Sequence, residues 1–74
     1  MTHAELSAAL RRLPLGGRLD LSRTAVGAAL ALEISTLEGR SGLYAFADIH
    51  RCRLEWDDVA ASVAFIKRPE IAFR

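Results

Sequence analysis

The chain has 74 residues, about half of the ~150 residues of a typical domain, so we expect residues 1–74 to form one small domain. Its hydrophobic content of 51% excludes a disordered tail, and its net charge of +1 gives no global field that would draw it onto nucleic acid or anionic lipid. A domain of this size buries only about 60% of the surface of its unfolded chain. We therefore expect an apolar face that is left over for self-association or for a partner.

The cysteine count and the N-terminal sequence bear on the compartment. Cys52 is the only cysteine, which excludes an intrachain disulfide framework and fits a reducing environment. The first residues lack the charged start and the apolar run of a signal peptide. The longest stretch of apolar residues and glycine, residues 25–32, is far shorter than the ~20 residues that span a bilayer. We expect a cytoplasmic protein that does not enter the membrane.

The first predicted element is a helix over residues 3–13. Thr2 and Glu5 have the spacing of a capping box, and Pro14 ends the apolar stripe. The stripe consists of Leu6, Ala9, Leu10 and Leu13. Residues 18–21 alternate between polar and apolar and predict a short, isolated strand.

Two interpretations compete for residues 22–49. In the first, an Ala-rich helix keeps one apolar stripe as far as Leu37 and is capped by Gly39. In the second, the helix ends near Leu30, a strand covers residues 32–36, and a hairpin loop leads into another strand over 43–47. The sequence leaves both open.

The C-terminal third predicts at least one strand. Cys52, Leu54 and Trp56 alternate with charged residues, which places them on one face of a strand over 51–56. The next stretch either forms a short helix that begins after Asp58, or two strands, 63–66 and 71–74, that make a hairpin.

Together these elements predict an α+β fold. The N-terminal helix and the Ala-rich helix pack on a small antiparallel sheet. The alternative is an all-α fold with a helix-turn-helix.

That alternative depends on residues 26–37, which resemble the helix-turn-helix of bacterial regulators. Gly27 takes the small position of the first helix, residues 30–32 take the turn, and Leu37 takes the later core position. Ala31 stands where the motif usually has glycine, because the backbone there is left-handed. The resemblance implies a DNA-binding transcriptional regulator. It would place Ser35, Thr36, Glu38 and Arg40 in the major groove and Arg18 and Arg23 on phosphates.

No metal centre, cofactor site or active site is predicted. His50, Cys52, Asp57 and Asp58 are of ligand type, but a structural zinc site needs four ligands in paired spacing, and the chain has one cysteine and two histidines. Cys52 lacks an oriented base, and glycine-rich phosphate loops and nucleophile elbows are absent from the sequence. We expect a protein that is not an enzyme.

Aromatic side chains concentrate in the C-terminal half, beside arginines. A strand over 43–47 would be apolar on both faces and would need a second cover, and Tyr and Trp are frequent at interface hot spots. We therefore predict a small binding module that acts by protein–protein contact and forms a dimer. The predicted interface consists of Tyr44, Phe46, Arg51, Arg53, Trp56, Asp57 and Asp58.

The size and composition of the chain are similar to those of small proteins encoded by phages and mobile elements. Among these are anti-CRISPR inhibitors, which block a larger host complex by occupying its surface. That similarity implies an inhibitor or regulator in which Glu55, Asp57 and Asp58 mimic phosphate. DNA binding through the helix-turn-helix is the alternative function.

Overall fold

A computed structural model describes residues 1–69, which form three helices and three strands. In chain order these are α1 (His3–Arg12), β1 (Arg18–Ser22), α2 (Arg23–Leu30), α3 (Leu37–Ile49), β2 (Cys52–Asp57) and β3 (Ser62–Lys67). The strands form one antiparallel sheet in the order β1-β3-β2. The predicted α+β class is confirmed, and the all-α alternative is wrong. Within residues 1–69, no helix is both long enough and apolar enough to cross a bilayer.

The predicted N-terminal helix is confirmed as α1. Its capping box is complete, because the Thr2 hydroxyl accepts the N–H of Glu5 at 3.1 Å and the Glu5 carboxylate accepts the N–H of Thr2 at 2.8 Å. Leu6 and Leu10, one turn apart, are fully buried. The helix ends at Arg12, one residue before the predicted end.

β1 is not isolated. It pairs along its whole length with β3, with Leu19 opposite Phe65 and Leu21 opposite Val63. β3 occupies residues for which the sequence also allowed a helix, and that helix is wrong. The Asp57 carboxylate instead accepts the N–H groups of Val59 and Ala60, both at 3.1 Å, in the loop from β2 to β3. The second strand of the predicted hairpin, residues 71–74, lies outside the described residues.

Both interpretations of residues 22–49 are wrong in part. The Ala-rich helix ends at Leu30, but α3 replaces the strands predicted over 32–36 and 43–47. The hydroxyl of Thr36 accepts the N–H of Gly39 at 2.9 Å, so Gly39 lies in the first turn of α3 and does not end a helix. Leu43 and Phe46 face the core from one side of α3, as helical spacing requires.

The core lies between the helices and one face of the sheet. Its fully buried side chains are Leu6, Leu10, Val26, Leu43, Val63 and Phe65. Cys52, Leu54 and Trp56 lie on this face of β2, as the alternation predicted. The opposite face of the sheet carries ion pairs between exposed groups, in which Arg18 lies 2.9 Å from Glu55 and 3.0 Å from Asp20.

Candidate interaction surface around α3

The connection from α2 to α3 spans residues 31–36. Ala31 has φ 54° and ψ 45°, the left-handed backbone that the helix-turn-helix resemblance implies for this residue. Its N–H and that of Leu32 both donate to the carbonyl of Gly27, which closes the end of α2. The connection is longer than the three- or four-residue turn of that motif. Leu37, expected in the core, is 83% exposed.

The first turn of α3 packs directly against this connection. The carbonyl of Glu33 accepts the N–H and the hydroxyl of Thr36, at 3.0 and 2.8 Å. A Cβ at position 39 would overlap this same carbonyl oxygen, so only glycine fits there. The close approach fixes where α3 begins and which of its faces turns outward.

Five side chains from α2, α3 and the β2–β3 hairpin form a cluster around Trp56. We call it the Trp56 cluster, and it consists of Arg23, Arg40, Tyr44, Trp56 and Asp58. The indole N–H of Trp56 donates to the Tyr44 hydroxyl at 2.8 Å. The guanidinium carbons of Arg40 and Arg23 lie 4.6 and 5.1 Å from the centroid of the indole ring.

Both arginines of the cluster also have polar partners. Arg23 lies 2.7 Å from Asp58, and this hydrogen bond lowers the pKa of the Asp58 carboxyl. Arg40 donates to the carbonyl of Ile34 at 3.1 Å. Within the described residues, both arginines therefore have partners in the same chain.

The outward face of α3 carries a row of four exposed residues spaced four apart. We call it the α3 row, and it consists of Leu37, Ser41, Ala45 and Ile49. Leu37 is 83% and Ile49 is 76% exposed, and two small residues lie between them. Exposed carboxylates, Glu38 and Asp48, flank the row. The surface therefore combines aliphatic ends, a small centre and acidic flanks.

The residues of the predicted protein interface are not all brought together. Tyr44, Trp56 and Asp58 meet in the Trp56 cluster. Phe46 is 9% exposed and packs between the rings of His50 and Phe65, with centroids at 4.7 and 6.3 Å, so it belongs to the core and not to an exposed interface.

The other three predicted interface residues lie elsewhere. Arg53 pairs with Glu55 at 3.3 Å on the face of the sheet that points away from the helices. Arg51 is exposed between α3 and β2, with a left-handed backbone of φ 58°. Asp57 caps the hairpin loop.

The residues predicted to contact DNA in the alternative function also lie in separate parts of the structure. Arg23 and Arg40 meet at Trp56, whereas Arg18 is paired with two carboxylates on the outer face of the sheet. Ser35 and Thr36 are exposed in the connection, and the hydroxyl of Thr36 caps α3.

Sequence reasoning missed the α3 row. Its spacing of four residues would have identified it, but only if residues 37–49 had been assigned to a helix.

Cys52 is a buried thiol, 1% exposed, with its sulfur 3.4 Å from the carbonyl of His50. Burial raises the pKa of this thiol. In the part of the chain that the structure describes, no three His, Cys, Asp or Glu side chains are placed to share a metal ion.

An open cleft of about 540 Å³ lies between α2 and the connection to α3. Small and apolar residues form most of it, and Arg23 and Glu33 are its charged residues.

Comparison of the chain with protein-family models, with curated proteins and with solved structures finds no match. The function must therefore be argued from the surface around α3.

Proposed function

We propose that this chain is a non-enzymatic binding module that acts by protein–protein contact. Its contact surface is the α3 row together with Tyr44 and Trp56. The observation that carries the proposal is the chemistry of α3, the helix that follows the turn and that a helix-turn-helix protein would insert into DNA. The α3 row ends in two exposed aliphatic side chains, each next to a carboxylate in the sequence. The single cation of α3, Arg40, packs against Trp56.

Electrostatics argues against phosphate as the partner. A DNA-binding protein gains most of its affinity by neutralising phosphates with free cations. Here Arg23 is paired with Asp58, whose side chain is otherwise exposed, and Arg18 is paired with Asp20 and Glu55. An approaching phosphate would compete with these carboxylates for each guanidinium.

The exposed apolar side chains favour a protein partner. Besides the ends of the α3 row, Val59 at the hairpin tip is 99% exposed and Tyr44 is 48% exposed. Large apolar and aromatic side chains that remain exposed in a small domain are available to bury against a protein partner.

The proposal includes a cytoplasmic setting, in which the thiol of Cys52 stays reduced. It also includes the role of a phage- or mobile-element-encoded inhibitor or regulator of a host complex. The composition of the chain supports that role. Asp58 at the hairpin tip is an exposed carboxylate, and in a phosphate-binding groove it would exchange its ion pair with Arg23 for a cation of the host complex.

One observation favours the alternative, DNA binding through the helix-turn-helix. Ala31 has the left-handed backbone of the motif, and two helices flank it in the required order. The experiment must therefore distinguish a protein partner from DNA.

Site-specific photo-crosslinking makes this distinction. A benzophenone amino acid replaces Ser41 in the α3 row, and a matched control replaces Ala28, which is exposed on α2. In cells that express the chain, we expect protein adducts several-fold more abundant from position 41 than from position 28. Adducts to nucleic acid alone, or equal protein adducts from both positions, would contradict the proposal.

Fluorescence anisotropy with a labelled random DNA duplex gives the complementary test. From about 50 to 200 mM salt, the proposed function predicts no salt-dependent binding. A steep loss of affinity with salt that flattens in Arg23→Ala and Arg40→Ala would establish the DNA alternative instead.

A further inference from the structure

We propose that the α3 row docks on the same row of a second copy of this chain, in a two-fold symmetric dimer. The inference rests on the proposed function, because it names the partner of that surface.

The spacing makes the α3 row a single ridge of the helix. Residues four apart form the i±4 ridges that pack into the grooves of a second helix, and two such ridges cross at about −50°. The residues at the centre of the row, Ser41 and Ala45, are small, so two helices can approach closely where they cross. The bulky side chains, Leu37 and Ile49, lie at the two ends.

The row is also complementary to itself. Leu37 and Ile49 are equally distant along the helix from the level of residue 43, and so are Ser41 and Ala45. A two-fold axis at this level aligns two rows in opposite directions. Each Leu37 then meets Ile49 of the second copy, and each Ser41 meets the second copy's Ala45. A two-fold interface requires a surface that fits itself in this way.

The charges at the two ends of α3 are complementary in the same arrangement. Glu38 lies in the first turn, and at the far end the guanidinium of Arg68 lies 3.5 Å from Asp48. Opposite alignment brings Glu38 of one copy to the end where Arg68 of the other copy stands. Glu38 of one copy is then near the cation Arg68 of the other copy as well as near its carboxylate Asp48.

The area that two α3 helices can bury against each other limits the affinity of the dimer. A helix of 13 residues is about 20 Å long, so the buried area falls below the ~800 Å² per partner of a standard interface. We therefore expect a weak dimer whose population rises with concentration.

Sedimentation equilibrium of the full chain, from micromolar to millimolar concentration, tests the proposal. We expect the apparent mass to rise with concentration from the 8.1 kDa of one chain towards twice that value. Ala45→Arg should weaken the dimer at least ~10-fold, because it places a long charged side chain at the crossing point. The matched change Ala28→Arg, on the exposed side of α2, should leave the dimer intact.

Two outcomes would overturn the proposal. One is a wild-type chain that remains a monomer at millimolar concentration. The other is a dimer that Ala45→Arg and Ala28→Arg affect equally.

Disulfide trapping gives a second measurement that does not depend on a disruptive variant. When Ser41→Cys and Ala45→Cys proteins are mixed under mild oxidation, we expect the mixed disulfide to form several-fold faster than between Ser41→Cys and Ala28→Cys proteins. Equal rates would contradict the alignment.

These results separate the two proposals. If the chain stays monomeric but gives protein adducts from position 41, the proposed function holds and the dimer is wrong. If the chain gives no protein adducts from position 41, the proposed function is wrong.

Discussion

The surroundings of His50 make the stability of the fold depend on pH. Its ring packs on Phe46 with centroids 4.7 Å apart, where the C-terminal end of α3 approaches the sheet. Burial lowers the pKa of His50, and the charges of Lys67, Arg11 and His3 lower it further. The folded chain therefore takes up a proton at this site less readily than the unfolded chain does.

This difference predicts how stability depends on pH. The unfolded imidazole titrates near 6.5, and the folded one at a lower pH. The free energy of unfolding should therefore fall as the pH drops below about 6.5, and stop falling once the folded chain is also protonated. Urea denaturation of the wild type and of His50→Gln, from about pH 8 to pH 5, measures the effect.

The substitution should reduce the slope of stability against pH. His3→Gln removes only one of the neighbouring charges and should reduce the slope less. An unchanged slope in His50→Gln would contradict the assignment.

At the scale of the element, α3 depends on a single close approach to the chain that precedes it. Gly39 lies against the carbonyl of Glu33 with no room for a Cβ. A Cβ at Gly42, one turn later, would lie 3.1 and 3.3 Å from the methyl carbons of Leu32, and that side chain can move. Backbone therefore excludes a side chain at position 39, whereas only a movable side chain crowds position 42.

The pair gives a matched prediction. Gly39→Ala should lower the free energy of unfolding by about 1–3 kcal/mol, because the connection must shift to admit the methyl group. Gly42→Ala should change it by less than about 1 kcal/mol, because the higher helix propensity of alanine offsets the crowding of Leu32. Chemical denaturation of both variants measures the difference. Equal losses would mean that the connection does not define the start of α3.

At the scale of the whole molecule, Lys67 joins the central strand to two helices. Its ammonium group donates to the carbonyl of Leu10 at 2.6 Å and to that of His50 at 3.4 Å. These carbonyls lie at the C-terminal ends of α1 and α3, where cations are favoured by the helix dipole. One side chain thereby satisfies acceptors that are 57 and 17 residues away in sequence.

Its removal should therefore weaken the whole fold. Lys67→Met should lower the free energy of unfolding by about 1.5–3 kcal/mol, because hydrogen bonds from a charged donor are lost. Arg53→Met, on the exposed face of the sheet, should change it little. Thermal and urea unfolding of both variants provide the measurement. A cost for Lys67→Met no greater than that for Arg53→Met would contradict the bridging role.

Much of the candidate surface was not predictable because its members depend on distant partners. The sequence indicated that Tyr44 and Trp56 were candidates for contact, but not that they bond each other through the indole N–H. The helix-turn-helix resemblance placed Arg23 on phosphates and Arg40 in the major groove, whereas the fold places both beside one indole ring. An arginine's partner is set by which aromatic or carboxylate the topology brings near.

The sequence by itself determined the features that arise from neighbours within a few residues. These are the capping box of α1, the inward face of β2 and the α+β class. Such features depend on hydrogen bonds and side-chain spacing within one or two turns or along one strand.

Only the tertiary structure decided the remainder. Residues 43–47 fit both a strand and a helix by pattern, and the connection that packs against Gly39 and the core that receives Leu43 select the helix. The sequence also allowed a helix where β3 lies, and β3 is a strand because it pairs with β1 across 40 or more residues of chain. Pairing at that distance, and the outward face it leaves on α3, are properties of the assembled fold, because no local interaction encodes them.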